Sequence, residues 1–204
     1  TGEIVQVTEG GYMGMLNVAR KSMKLYFMRN VPTEEDKALR NKEISRDSMI
    51  AMFRSGRFNR IKHAVQIIEV DLARLFSDSK SGKLKSADEY QKVCGILPAE
   101  IEAGGDMALD GDEKWVYFRV GKDEAQKHLP EGTIIEGNYG PRNMGAGPSG
   151  ICSMNIETGE IRYVVSTPFQ IGHIQTNPWV PGEIVFCWET GGKSPQRTWI
   201  VRSD

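Results

Sequence analysis

Cysteine is scarce in this chain. Cys94, Cys152 and Cys187 are the only three, odd in number and far apart, with no CxxC pair among them. That excludes a zinc finger or a thioredoxin-like redox pair, and buried free thiols are expected at Cys152 and Cys187 within their apolar runs. Charge of one sign is also missing. The net charge is −1 and the pI about 6.3, so no basic field exists to gather nucleic acid or acidic membranes. No apolar run reaches the roughly 18 residues of a transmembrane helix. No signal peptide is present, but the chain begins at Thr1 rather than Met, so that absence decides nothing about compartment. What remains is 204 residues of ordinary polarity, enough for one substantial core.

Self-similarity organises those residues. Thr1–Thr8 and Thr158–Val165 both open on Thr-Gly-Glu-Ile and run on as an alternating strand. Lys24–Arg29, Lys114–Arg119 and Glu183–Trp188 form a second strand class, short and aromatic. Val65–Leu72, Gly150–Glu157 and Arg197–Arg202 form a third. The order of classes recurs and predicts an all-β fold, a β-propeller of four-stranded antiparallel blades.

Three blades are expected. The first holds Tyr12–Arg20, Lys24–Asn30, Ala64–Leu72 and a strand near Val93–Leu97. The second holds Gly105–Leu109, Lys114–Val120, Gly150–Ile156 and Glu160–Ser166. The third holds Ile171–Asn177, Glu183–Glu189 and Thr198–Arg202, without a fourth strand. Thr1–Thr8 reads as the outer strand of another blade. Three blades do not close a propeller, which takes about 4–8. The whole of 1–204 therefore reads as a single propeller section, incomplete at both ends.

The aromatic strands start at residues 24, 114 and 183, wider than the roughly 40–50 residues of a simple propeller repeat. Insertions account for the excess. Thr33 followed by acids predicts a helical insertion near 33–54, the only substantial helix expected. Residues 121–148, dense in Gly and Pro, and the Ser/Lys-rich 77–88 read as loops. The run Asp110-Gly-Asp-Glu113 lacks calcium-loop spacing and reads as a hairpin turn.

The third blade resembles the oligogalacturonate lyases, pectin-degrading enzymes built as seven-bladed β-propellers. The residues that carry the resemblance are Thr158-Gly-Glu160, Ile171-Gly-His173, Pro178, Val185-Phe-Cys187, Glu189, Arg197-Thr-Trp199 and Asp204. Trp188 stands where that family tends to have His. The resemblance implies metal-assisted β-elimination of short oligogalacturonides to unsaturated uronates. It implies a divalent cation, manganese-like, with His173 matching a metal-ligating histidine. His128 is the candidate general base and Arg142 the candidate partner of the substrate carboxylate. Trp179 and Trp188 are the candidate sugar-stacking rings. The partner expected is an oligogalacturonide or related oligouronide, with no nucleic acid and no membrane. The cytoplasm and the periplasm of a bacterium both stay open. A competing expectation is a non-catalytic periplasmic binding or scaffold propeller of the translocation-protein type. A peptidase-gating propeller would need a Gly-x-Ser-x-Gly hydrolase, which is not seen here.

Overall fold

The computed structural model describes residues 4–8, 13–31, 34, 51, 62–139, 144–193 and 197–204. Among the described residues, eleven strands fall in three antiparallel sheets. The first sheet is β1 (Met13–Ala19), β2 (Lys24–Asn30), β3 (Val65–Asp71) and β4 (Gln91–Leu97), in that spatial order. The second is β5 (Gly104–Leu109), β6 (Trp115–Val120), β7 (Ala146–Asn155) and β8 (Ile161–Phe169). The third is β9 (Ile171–Thr176), β10 (Glu183–Trp188) and β11 (Thr198–Arg202). The entry strands adjoin: β5 packs between β1 and β9. This is the arrangement of a β-propeller section, with successive meanders side by side and their first strands innermost.

Alternation explains why the middle sheet is buried on both faces. Val116, Phe118 and Val120 of β6 join Tyr26, Met28 and Ile67 of the first sheet in one core. Tyr117, between them in sequence, turns the other way and joins Ile171, Ile184 and Phe186 of the third sheet. A period of two thus sends one strand's side chains into two different cores.

The sequence reading departs from the structure in several places. The outer strand expected at Thr1–Thr8 is not formed over its described residues 4–8, although Val5 and Val7 pack on the core of the first sheet. The segment 77–88 is not all loop. Helix α1 (Leu72–Lys80) starts directly from β3, capped by Asp71, whose carboxylate accepts from the Arg74 N–H at 2.9 Å. Leu72 and Leu75 are its buried face. The segment 121–148 is not all loop either. It opens with α2 (Lys122–Gln126), seated by buried Ala125, and its last residues belong to β7. Glycine and proline concentrate in 137–148, whereas Lys122–Gln126 is built of helix-compatible residues with acids in its first turn. The helical insertion expected near 33–54 lies outside the described residues, apart from Glu34 and Ala51.

Two features shape the surroundings of the candidate site. The first is an irregularity repeated in each entry strand. In β1 the register passes from Met13↔Met28 to Asn17↔Tyr26. In β5 it passes from Gly104↔Arg119 to Met107↔Phe118, and in β9 from Gly172↔Cys187 to Gln175↔Val185. Extra residues therefore sit at the same level of all three strands, and such bulges re-aim side chains. The second is the interlocked turns at the other end. The Glu113 carboxylate accepts from the N–H groups of Lys21 and Ser22 at 2.8 and 3.1 Å, tying the β1–β2 turn to the β5–β6 turn. Asp110-Gly-Asp-Glu113 is the β5–β6 hairpin turn, with the Asp110 N–H donating to Trp115 O.

Candidate cation site

His173 sits in the bulge of β9. Its φ is +51°, a left-handed conformation that is uncommon outside glycine. The backbone is held there by a neighbour: the His173 N–H donates to Asp106 Oδ2 at 2.6 Å, and Asp106 lies in the corresponding bulge of β5. The bulge turns the imidazole outward, leaving the side chain 53 % exposed.

Two further donors meet it. His173 Nε2 lies 2.8 Å from Glu189 Oε2, and Cys187 Sγ lies 3.7 Å from the same oxygen. One ligand atom from each of the three residues falls within 4.8 Å of the others. Cys187 and Glu189 are two apart on an extended chain and so share a face. Gly172, paired with Cys187 across the ladder, leaves the space between them open. A Cβ on Gly172 would stand 2.8 Å from Glu189 Oε2 and 3.0 Å from its Cβ. Burial pushes the Cys187 thiol up to about 11, the Glu189 carboxylate pushes the same way, and the Arg197 guanidinium pulls it down. Arg197 stands opposite, its carbonyl accepting from the Trp188 N–H at 2.8 Å.

An imidazole nitrogen and a carboxylate oxygen brought this close suit a divalent cation. The thiol in the same set does not match the oxygen-rich surroundings that manganese favours.

The other expected residues are not brought to this place. His128 follows α2, where its Nε2 lies 3.1 Å from Glu124 Oε1 and its ring stacks on Tyr163 at 3.5 Å. Tyr163 belongs to β8, the strand of the second sheet farthest from β5. The ring of Trp188 is interior, 8 % exposed, packed on Phe169 and Tyr139 with Nε1 donating to Gly145 O at 3.0 Å. Trp179 is 80 % exposed but stands beyond the opposite end of β9. There it lines a cleft of about 460 Å³ with Arg20, Lys21 and Thr176. Arg142 lies outside the described residues. The sequence reading missed Glu189 and Cys187 as partners of His173. The available signal was the alternate spacing of Cys187 and Glu189 opposite a Gly-His pair.

No family model and no curated protein matches the chain. Solved structures do match. One is an oligogalacturonate lyase in complex with manganese, 18 % identical, with a TM-score of 0.46 over 69 % of this chain and 35 % of that one. Another is an oligogalacturonate lyase from Vibrio parahaemolyticus, 16 % identical, with a TM-score of 0.47 over 69 % and 35 %. The chain therefore spans about a third of the length of these structures. Among the described residues, no helix is long and apolar enough to cross a membrane.

Proposed function

We propose that this chain belongs to a carbohydrate-active lyase that cleaves short oligogalacturonides by β-elimination, with a divalent cation held by His173 and Glu189. One observation carries the reading. The histidine singled out by the resemblance over 158–204 meets a carboxylate and a thiol on an innermost strand. In the reaction a general base takes the C5 proton, the C5–H electron pair forms the C4=C5 double bond, and the C4–O bond breaks with its pair going to the leaving oxygen, which takes a proton. A bound cation supplies Lewis-acid neutralisation of the uronate carboxylate beside C5. His173 contributes its Nε2, which lies 2.8 Å from Glu189 Oε2 on a half-exposed side chain. Glu189, largely buried, contributes a carboxylate oxygen held in place. Arg197 brings a guanidinium to the same neighbourhood, and that group pairs with a carboxylate at two points. Arg142 remains a candidate for the same task and His128 for the base. Trp179 remains a candidate sugar contact at a separate subsite, whereas the interior ring of Trp188 serves the core instead.

The placement of His128 on the outer part of the second sheet favours a second reading. In it the propeller holds a cation and an acidic saccharide without breaking it.

The test is an ultraviolet assay, because β-elimination makes a conjugated uronate that absorbs in the near ultraviolet. The full-length protein, incubated with oligogalacturonides and a divalent cation, is expected to raise that absorbance. His173→Ala is expected to lose it, with partial recovery in excess cation. Saturable binding of the oligomer with no absorbing product would overturn the lyase reading in favour of the binding one.

A further inference from the structure

We infer that the cation at the start of β9 is ligated through the thiolate of Cys187, so the site selects a borderline-soft ion of the zinc class over manganese. The inference rests on the reading that His173 holds a divalent cation, and it goes further by assigning a third ligand and the ion's chemical class.

Three observations carry it. The donor set is one imidazole, one carboxylate and one thiol, with all three ligand atoms within 4.8 Å of each other. Bonds of about 2.0–2.3 Å to N, O and S place tetrahedral ligand atoms about 3.3–3.7 Å apart. The Sγ–Oε2 separation of 3.7 Å already meets that, and the 2.8 Å Nε2–Oε2 contact needs only a small opening to admit the ion. Next, the thiol is held in place. Cys187 is 7 % exposed and belongs to β10, laddered on both sides by β9 and β11. Finally, one side of the cluster stays open. The outward-turned His173 leaves room for water or substrate as a fourth ligand, the plan of three protein ligands plus an open position found in catalytic zinc sites.

Sulfur decides the class of ion. Thiolate selects zinc-like ions, whereas carboxylate, carbonyl and water suit manganese. Binding is balanced by loss of the Cys187 S–H proton to solvent, one per ion, as the sulfur lone pair forms the bond.

The experiment uses the full-length protein, stripped by chelator and titrated with cobalt as a coloured substitute for zinc. A near-ultraviolet sulfur-to-cobalt charge-transfer band is expected, bleached by one equivalent of zinc but not by one of manganese. Cys187→Ser is expected to abolish the band and weaken zinc at least about tenfold. His173→Ala, at an exposed side chain, is expected to weaken cobalt and zinc alike, and circular dichroism checks that both variants fold. Manganese binding tighter than zinc, or a zinc affinity unmoved in Cys187→Ser, overturns the thiolate assignment and leaves the cation reading intact. If neither ion binds, both fail. A thiolate-bound zinc in a protein that makes no unsaturated uronate supports this inference and overturns only the lyase.

Discussion

Glu189 reaches His173 because the residue between them has no side chain. A methyl group at Gly172 would meet the Glu189 carboxylate and its Cβ at 2.8 and 3.0 Å. Gly172→Ala is therefore expected to push Glu189 aside and weaken cation affinity about tenfold or more, with a smaller loss of thermal stability. Chelator competition and a melting curve read the two effects separately. An unchanged affinity would remove Glu189 from the ligand set. Elsewhere, the Lys127 ammonium and the His128 imidazole hold the Glu124 carboxyl below its ordinary 4.5. A depressed folded value stabilises the fold above the unfolded value and loses that stabilisation as pH falls through the folded one. Wild type should exceed Glu124→Gln in urea midpoint near neutral pH, and the gap should close as pH falls below the ordinary 4.5 and through the lower folded value. A gap that persists in acid would mean that Glu124 acts by packing instead. At this scale the sequence exposed His173, as a lone histidine behind a glycine. It hid Cys187 and Glu189, whose approach depends on which strand lies opposite.

Among elements, α1 shows how a short signal hides inside polar sequence. Its nine residues, Leu-Ala-Arg-Leu-Phe-Ser-Asp-Ser-Lys, bury only Leu72 and Leu75. The Asp71 cap supplies the start. Asp71→Ala is expected to cost about 1 kcal/mol in urea denaturation, the usual loss at an N-cap. No loss would show that burial of Leu72 and Leu75 alone holds the helix. The bulges in β1, β5 and β9 were not visible as such, because an extra residue in a strand leaves the local composition unchanged. They became visible only against the register of β2, β6 and β10. Their effect is local and chemical: Asp106 in one bulge anchors His173 in the next.

Across the whole molecule, the sheets are joined by shared cores and by turn-to-turn contacts. Asp110, 4 % exposed, accepts from the N–H groups of Gly111 at 2.8 Å and Gly182 at 3.1 Å, linking the second sheet to the third. Burial pushes its carboxyl above the ordinary carboxylate value. Glu113 makes the equivalent link to the first sheet. Glu113→Ala is expected to destabilise by about 1 kcal/mol and to speed hydrogen exchange at the Lys21 and Ser22 amides. Exchange that stays as slow as in wild type would show that the core between Phe118 and Met28 alone holds these two sheets together.

Period-two alternation and recurrent turn residues were enough to set the strands of the three sheets, their order within each sheet and the all-β class, because these depend on neighbours in sequence; they also marked Thr1–Thr8, of which residues 4–8 form no strand. They also set the turn at Asp110–Glu113, where local hydrogen bonding makes the bend. Tertiary structure decided which donors share a site. His173 and Glu189 are sixteen positions apart, and only the β9–β10 register with its bulge turns one toward the other. It likewise sent His128 to the outer strand, Trp188 into the core and Trp179 beyond the far end of β9. Chain spacing carries the period of a strand, whereas the meeting of side chains across strands depends on register, and one extra residue resets it.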